Sequence, residues 1–309
     1  MSELPLPPAT RMLGGSGIQV SPIAWGMWRL TENRRTASDA AKLVHAALDS
    51  GITFLDTADI YGFDGPRPDG TTGFGDAEVL LGEVLAAEPD VRGRIVLATK
   101  GGIMPPLPYD QSAGYLRSAI DASLARLRVD SVDLWQIHRP DILAHPQEVA
   151  RVLDDAVSSG KVKALGVSNF TQGQIAALQH FLGHKLVATQ PEISPLRIDC
   201  FENGELDQAM TLGLTPLAWS PLGGGRLAAP ESPRDKAVAA ALDAVAEAQG
   251  VSRMVAAYSW LMAHPAGIIP IIGSQNPARI AEGAQALTVR WTRRDWYAVL
   301  VAARGVPLP

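Results

Sequence analysis

Short apolar segments alternate with longer amphipathic stretches along almost the whole chain. The apolar segments lie near 22–28, 52–56, 95–99, 132–137, 162–167, 187–190, 214–219 and 268–272. Between them, apolar residues recur at helical spacing over 37–50, 77–88, 113–127, 146–159, 171–181, 202–212, 235–248 and 277–287. Strands that are apolar throughout are typical of parallel sheets whose two faces are both buried. The pattern therefore predicts eight strand–helix units.

Eight units without a break in composition predict a single α/β domain over 1–309, folded as a closed (β/α)8 TIM barrel. An open, doubly wound sheet is the alternative, and it predicts a glycine-rich fingerprint between the first strand and the first helix. The sequence has none there. Gly14, Gly15 and Gly17 instead precede the first barrel strand, and they indicate the turn of an N-terminal β-hairpin that plugs the barrel.

Composition and charge narrow the class of protein. The chain of 309 residues is 47% hydrophobic and 19% charged, as soluble globular proteins are, and its formal net charge of -5 provides no attraction to nucleic acid or anionic lipid. No apolar stretch reaches the roughly 18 residues of a membrane span, and the N-terminus lacks a secretory pattern. Cys200 is the only cysteine, so no intrachain disulfide forms. We expect a cytoplasmic protein, a monomer or weak homo-oligomer, with a small-molecule substrate.

Four polar residues follow the second, third and fourth predicted strands: Asp56, Tyr61, Lys100 and His138. Because the C-terminal ends of barrel strands share one face, we expect these side chains to meet there. A phenol titrates near pKa ~10, and an adjacent ammonium lowers that pKa by stabilising phenolate. Singly, the four fit a helix cap, a surface phenol, a solvated strand end and a core histidine. Together they predict a site that protonates a carbonyl oxygen while a hydride attacks its carbon.

The segments that carry these residues resemble motifs of the aldo-keto reductase family over nearly the whole chain. LDTADIYG carries Asp56 and Tyr61, LATKGG carries Lys100, and WQIHRPD carries His138. The resemblance implies catalytic roles for all four and an NADPH-dependent reduction of aldehydes and ketones. The HRPD and AWSPLGGGR segments look most like a bacterial, NADPH-preferring branch of the family.

The resemblance also implies a binding site for NADPH or NADP+. Ser168 and Asn169, in GKVKALGVSNF, would bind the nicotinamide carboxamide together with Gln190, and Trp219 would stack on the nicotinamide ring. Backbone amides of the 221–227 loop would surround the pyrophosphate. The full set of implied cofactor contacts is Gly26, Met27, Ser168, Asn169, Gln190, Trp219, Ser220, Leu222, Gly223, Gly225, Arg226, Ile272, Gly273, Ser274, Arg279 and Glu282.

Preference for NADPH follows from the segment IIGSQNPARIAEG at 271–283. Asn276 and Pro277 predict the start of a helix, whose N-terminus attracts phosphate, and Arg279 adds a full positive charge. Ser274 and Arg279 resemble the family's clamp on the adenosine 2'-phosphate; a capped helix with a solvated arginine is the alternative. Gly283 stands where the family usually has asparagine, a departure that concerns one contact with adenine.

The substrate pocket is predicted from a loop and two aromatic residues. Residues 62–76 are longer than the family's usual connection and contain five glycines, so we expect them to overhang the pocket. Trp28 and Trp135 are candidate pocket residues, although Trp135 fits core packing equally well. With no charged cluster evident, we expect an apolar or aromatic aldehyde, ketone or dicarbonyl.

Three other interpretations fit parts of the sequence. His180 and His184 have the spacing of two zinc ligands, but the glutamate and third ligand of a zinc site are missing, so we expect no metal. The chain could instead be a nucleotide-binding regulatory module that resembles potassium-channel β subunits and has little turnover. It could also be a Schiff-base lyase with Lys100 as its nucleophile.

Overall fold

The computed structural model describes residues 3–309 and closes eight parallel strands into one barrel. A short antiparallel hairpin, β1 (Arg11–Met12) and β2 (Gln19–Val20), precedes the barrel. The barrel strands are β3 (Ala24–Gly26), β4 (Phe54–Asp56), β5 (Val96–Gly101), β6 (Val132–Ile137), β7 (Val162–Ser168), β8 (Leu186–Gln190), β9 (Thr215–Ala218) and β10 (Ile269–Ile272). Because β10 pairs with both β9 and β3, the sheet has no free edge and the predicted TIM barrel is confirmed.

Ten α-helices surround the strands within residues 3–309. They are α1 (Ala37–Asp49), α2 (Asp76–Ala87), α3 (Ala113–Leu127), α4 (Pro146–Ser158), α5 (Gln172–Phe181), α6 (Glu205–Leu212), α7 (Pro233–Gln249), α8 (Arg253–Met262), α9 (Pro277–Gly283) and α10 (Arg293–Arg304). The helix predicted over 277–287 ends at Gly283 and continues as a 3-10 turn. Helices α8 and α10 are not among the predicted elements. Every residue of α8 from Val255 onward is buried, so the sequence shows no amphipathic stripe there.

The hairpin closes the N-terminal end of the barrel, as predicted. Leu13 and Val20 are buried in the cluster of side chains that fills the barrel interior. The turn lies tight against the strand ends, since a Cβ atom on Gly14 would lie 2.4 Å from the carbonyl oxygen of Val187. The Gly14 amide also donates to Thr215 Oγ1 at 2.8 Å. A ligand therefore has access only to the opposite, C-terminal end of the strands.

Within residues 3–309, no helix is both long and apolar enough to cross a membrane.

Candidate active site

A buried ion pair lies at the C-terminal end of the barrel. Lys100, fully buried at the end of β5, places its Nζ 2.6 Å from Asp56 Oδ2 at the end of β4. The same ammonium donates to the carbonyl oxygen of Thr57 at 2.8 Å and to the hydroxyl of Tyr61 at 3.2 Å. These three acceptors use all three N–H bonds of the ammonium and hold it against the phenol.

The segment that carries Tyr61 is fixed to the neighbouring strand. The amide of Thr57 donates to the carbonyl of Ala98 at 2.9 Å, and that of Asp59 donates to the carbonyl of Lys100 at 3.0 Å. These bonds continue the parallel pairing of β4 with β5 beyond the end of β4. The phenol and the ammonium are thus positioned by the same two backbone segments.

The charges around Lys100 and Tyr61 differ in one respect from expectation. Burial pushes the pKa of Lys100 down, but attraction to Asp56 and Tyr61 outweighs it, so the pKa is raised and the ammonium stays charged. Burial raises the pKa of Tyr61 above its usual value, and the Asp56 carboxylate adds to this rise. Lys100 lowers the pKa of Tyr61 as predicted, but by less than burial raises it. The resting site therefore holds a neutral phenol.

His138 lies directly after β6, where its amide donates to the carbonyl of Gly101 at 2.9 Å. Its ring meets that of Tyr61 edge-on, with centroids 5.8 Å apart. Burial, then the positive charges of Lys100 and Arg139, lower its pKa well below the usual range. The imidazole is therefore neutral and can donate one hydrogen bond to a substrate oxygen.

Two buried amides hold the second oxygen of Asp56. Gln190 Nε2 lies 3.1 Å and Gln136 Nε2 lies 3.4 Å from Asp56 Oδ1. The family resemblance implies a cofactor contact for Gln190, whereas Gln136 is not among the residues predicted from sequence. The signal for Gln136 was a polar residue among the apolar residues Leu134, Trp135 and Ile137 of β6. Both amides orient the carboxylate whose other oxygen binds Lys100.

A chain of hydrogen bonds links β7, β8 and β9 beside His138. Asn169 Nδ2 donates to Ser168 Oγ at 2.8 Å and to the carbonyl of His138 at 3.2 Å. Ser168 Oγ donates to the carbonyl of Gln190 at 2.8 Å, and Trp219 Nε1 donates to Asn169 Oδ1 at 2.9 Å. Asn169 adopts a left-handed backbone with φ of 59°. The chain fixes the amide, hydroxyl and indole groups predicted to face nicotinamide.

One cavity of about 1790 Å³ connects the group of Asp56, Tyr61 and His138 with the end of β10. That volume exceeds the ~300–1,000 Å³ of common small-molecule sites, and it suits a dinucleotide together with a substrate. On the side of β4 to β6, the cavity is lined by Trp28, Asp56, Tyr61, Ile103, His138 and Arg139. Its central part is lined by Gly26, Ser168, Asn169, Gln190, Trp219, Ser220, Leu222 and Gly225, and the side of β10 by Tyr258, Gly273, Ser274, Arg279, Glu282 and Gly283.

The loop after β10 has the predicted helix cap. Asn276 Oδ1 accepts from the amides of Ala278 at 2.9 Å and Arg279 at 3.4 Å, and Pro277 is the first residue of α9. Trp25 Nε1 donates to the carbonyl of Ser274 at 3.0 Å, which ties this loop to β3. The exposed guanidinium of Arg279 forms no ion pair within residues 3–309. It is free to bind an anion.

Six predicted site residues lie outside the cavity lining, and one of them is the fully buried Lys100. Met27, Ile272 and Trp135 are buried in the core, Trp135 in the layer between strands and helices. Gly223 also lies off the lining, and Arg226 pairs with Asp235 at the start of α7. For Trp135 the structure favours the core alternative, because its side chain points away from the barrel axis.

The loop over 62–76 folds across the cavity mouth around a single arginine. Arg67 Nη1 lies 2.7 Å from Asp76 Oδ2, and Arg67 Nε lies 2.8 Å from Asp64 Oδ1. Arg67 Nη2 also donates to the carbonyl of Gly62 at 3.2 Å. Phe63, Asp64 and Arg67 line the cavity, so this loop does overhang it.

Two further side chains shape the substrate side of the cavity. Trp28 is 64% exposed at its mouth. Arg139, which the sequence analysis did not identify, places its guanidinium carbon 5.6 Å from the centroid of the Trp219 ring. This guanidinium has no acidic partner within the described part of the chain. The position next to His138 in HRPD was the signal that could have singled it out.

The two histidines with zinc-ligand spacing do not form a metal site. His184 Nδ1 instead lies 2.8 Å from Asp154 Oδ1. Over residues 3–309, no group of three or more histidine, cysteine, aspartate or glutamate side chains could hold a metal ion.

The chain is similar to known reductases over its full length. A family model described as the aldo/keto reductase family matches residues 22–300. A 6-dehydroglucose reductase of Novosphingobium aromaticivorans is 82% identical over 309 residues, covering 100% of both chains. A 6-dehydroglucose reductase of Agrobacterium fabrum is 39% identical over 298 residues, covering 93% of this chain and 96% of the relative.

A solved structure is similar in fold. The crystal structure of a thermostable aldo-keto reductase in complex with the inhibitor epalrestat superposes with a TM-score of 0.81 at 21% identity. The match covers 95% of this chain and 99% of the other. At that identity it supports the barrel architecture alone.

Proposed function

Since this chain belongs to the aldo/keto reductase family, we propose that it uses NADPH to reduce the aldehyde of 6-dehydroglucose or a closely related sugar. The observation that carries the proposal is the hydrogen-bonded group of Asp56, Lys100 and Tyr61 beside a neutral His138, in which Asp56, Tyr61 and His138 line one cavity. The substrate class is taken from the two relatives that bear this name. The oxidoreductase activity belongs to the family as a whole.

The catalytic residues deliver a proton. Tyr61, neutral in the resting site, donates its proton to the carbonyl oxygen, and His138 donates a hydrogen bond to that same oxygen. Lys100 stabilises the resulting phenolate from 3.2 Å, and Asp56 keeps Lys100 charged and in place. When bound, the reduced nicotinamide supplies the hydride to the carbonyl carbon. Because the ammonium is already aimed at the phenol, little reorganisation accompanies proton transfer.

The cavity wall fits a nicotinamide dinucleotide phosphate. Ser168 and Asn169 offer the polar groups for the carboxamide, and the Trp219 indole, held by Asn169, offers a flat face for the ring. Gln190 would serve both Asp56 and the carboxamide, since one of its N–H groups binds Asp56. On the side of β10, the unpaired Arg279 suits a phosphate, and this supports NADPH over NADH.

A sugar aldehyde fits the substrate side better than the apolar carbonyl expected from sequence. The guanidinium of Arg139 has five N–H donors and no acidic partner within residues 3–309, so it can bind vicinal hydroxyls. Trp28 offers an aromatic face, on which the C–H side of a sugar ring can pack. Both side chains line the same cavity as Tyr61 and His138.

The bond geometry also argues against the lyase alternative. A Schiff-base nucleophile must be a neutral amine. Lys100 is hydrogen-bonded to three oxygen atoms, and its pKa is raised by Asp56. The structure therefore supports a positioning charge at Lys100 in preference to a nucleophile.

Steady-state assay tests the proposal. The loss of NADPH absorbance is followed with 6-dehydroglucose and with an aromatic aldehyde, with NADH in parallel. Tyr61→Phe should remove most turnover, roughly 10²-fold or more, while the affinity for NADPH is kept. Tyr297→Phe on α10, an exposed tyrosine, is the matched control and should behave as wild type. Saturable binding of NADPH without turnover of either aldehyde would refute the reductase and favour the regulatory module.

A further inference from the structure

An amide side chain lies inside the barrel at the level of Lys100, its register partner on β5. Gln136 on β6 is fully buried, and it is not among the residues that line the cavity. Two positions earlier on the same strand, Leu134 packs with Ala164 and Ala188 in the apolar filling of the barrel. A polar group in such surroundings costs free energy unless it is hydrogen-bonded.

Only one end of this amide has a hydrogen-bond partner. Gln136 Nε2 lies 3.4 Å from Asp56 Oδ1, whereas Gln136 Oε1 makes no hydrogen bond to any group within residues 3–309. A buried carbonyl oxygen without a donor lowers stability. Leucine, which is similar in size, would avoid that loss. The benefit of glutamine at this position therefore lies in the N–H group that it offers to Asp56.

The neighbouring strand has a glycine that leaves room for this contact. Gly166 is the register partner of Gln136 on β7. A Cβ atom on Gly166 would lie 3.0 Å from Gln136 Cγ and 3.3 Å from the Cβ atom of Ala188. The φ angle of Gly166 is not among the positive ones, so the backbone itself does not require glycine there. A side chain at this position would instead press on Gln136, which reaches Asp56 only because β7 is bare.

We propose that Gln136 is a positioning residue for proton transfer, which holds the Asp56 carboxylate in place while the cofactor is bound. This role rests on the proposed function, since it concerns the same reaction. Asp56 Oδ1 has two amide donors, and one of them, Gln190, lines the cavity and would also serve the nicotinamide carboxamide. Gln136 serves Asp56 alone. Its N–H group stabilises the negative charge of the carboxylate, which in turn holds Lys100 against the hydroxyl of Tyr61.

The first test compares Gln136→Leu with wild type in the NADPH-dependent reduction of 6-dehydroglucose. Leucine fills the space but has no N–H group, so kcat should fall roughly 10-fold, as for one hydrogen bond to a charged group. The dissociation constant of NADPH, measured by quenching of tryptophan fluorescence, should not change. The melting temperature should not fall, because the unpartnered carbonyl is removed as well. Gln147→Leu on the exposed side of α4 is the control and should change none of the three quantities.

A second variant, Gln136→Glu, separates a hydrogen bond from packing by its pH profile. A protonated carboxyl group can donate to Asp56 Oδ1, whereas an ionised one repels it. Burial and the like charge of Asp56 both raise the pKa of a glutamic acid at this position. The ratio of kcat in Gln136→Glu to kcat in wild type should therefore rise as the pH falls from about 8 to about 6.

An unchanged kcat in Gln136→Leu would overturn the positioning role, because it would show that Asp56 does not need this donor. A kcat lowered equally in both variants at every pH, or lowered together with the melting temperature, would assign Gln136 to packing. In these cases wild type still turns over, so the proposed function stands. If wild type itself showed no turnover, the proposed function would fail, and the role of Gln136 with it.

Discussion

Replacement of Asp56 by asparagine is expected to destabilise the protein far more than loss of a surface ion pair. The side chain keeps its shape, but fully buried Lys100 loses the negative charge 2.6 Å away and keeps only neutral oxygen acceptors, such as the Thr57 carbonyl and the Tyr61 hydroxyl. Breaking a buried pair by removal of one partner costs roughly 3–5 kcal/mol. With an unfolding entropy of ~2.1 cal/mol/K per residue over 309 residues, that cost corresponds to a fall in melting temperature of roughly 5–8 °C.

The pH dependence of the loss in unfolding free energy shows whether the buried charge of Lys100 causes it. In wild type the pKa of Lys100 is raised, so the stability it contributes is complete below the unfolded pKa of about 10.4 and is lost above the folded pKa. In Asp56→Asn the larger of the two attractions that oppose burial is gone and only that of Tyr61 remains. We therefore expect burial to lower the folded pKa of Lys100, which then loses its proton as the pH rises. The difference in unfolding free energy between variant and wild type should therefore shrink from pH 6 to pH 9.

Urea unfolding of four variants provides the assay. The double variant Lys100→Met/Asp56→Asn should lose less unfolding free energy than the sum of the losses in the two single variants, because the double variant buries no charge. Asp155→Asn, which removes the exposed partner of Arg117 at 2.8 Å, is the control and should change little. Additive losses in the double variant, or an Asp56→Asn loss that does not vary with pH, would refute the reasoning.

Four further substitutions test other parts of the site. Arg139→Met should lower kcat/KM for 6-dehydroglucose roughly 10-fold or more and leave an aromatic aldehyde nearly unaffected, since only the sugar offers hydroxyls to the guanidinium; equal losses would contradict this. Arg279→Gln should weaken NADPH roughly 10-fold and NADH little in a fluorescence titration, and equal weakening would remove the 2'-phosphate assignment. Gly283→Ala should lower the free energy of unfolding in urea by roughly 1–3 kcal/mol, because the added Cβ would lie 2.2 Å from Ile272 Cδ1. Adding Ile272→Val removes that Cδ1 and should recover part of the loss. No recovery would show that the strain lies elsewhere.

The barrel could be predicted from sequence because its strands are buried on both faces. Such strands are uninterrupted apolar runs, and the polar residues that end them, such as Asp56, Lys100 and His138, stand out in the sequence. Helix α8 could not be found this way, because a helix buried on nearly every side has no polar face to set its period. Hydrophobic periodicity identifies helices and strands that have one face on the core and the other on solvent.

The missing parts of the site depend on distances that the sequence does not contain. The downward effect of Lys100 on the pKa of Tyr61 was predictable, but the larger upward effect of burial depends on how deeply the phenol lies. In the sequence Tyr258 is indistinguishable from an ordinary core aromatic residue, and only the placement of α8 and α9 on one cavity shows that it lines that cavity. Gln136 and Arg139 are conspicuous only once the position of Asp56 and of the cavity is known.

The contacts of Arg67 make the 62–76 loop a separable part of the molecule. Arg67 joins Gly62 to Asp76, so the two ends of the loop meet and the 13 residues between them form a compact Ω-loop. A segment closed on itself can change in length and composition without moving β4 or α2. Substrate range can therefore diverge among relatives, or be altered by grafting, through exchange of this loop while the barrel and its proton-transfer group stay the same.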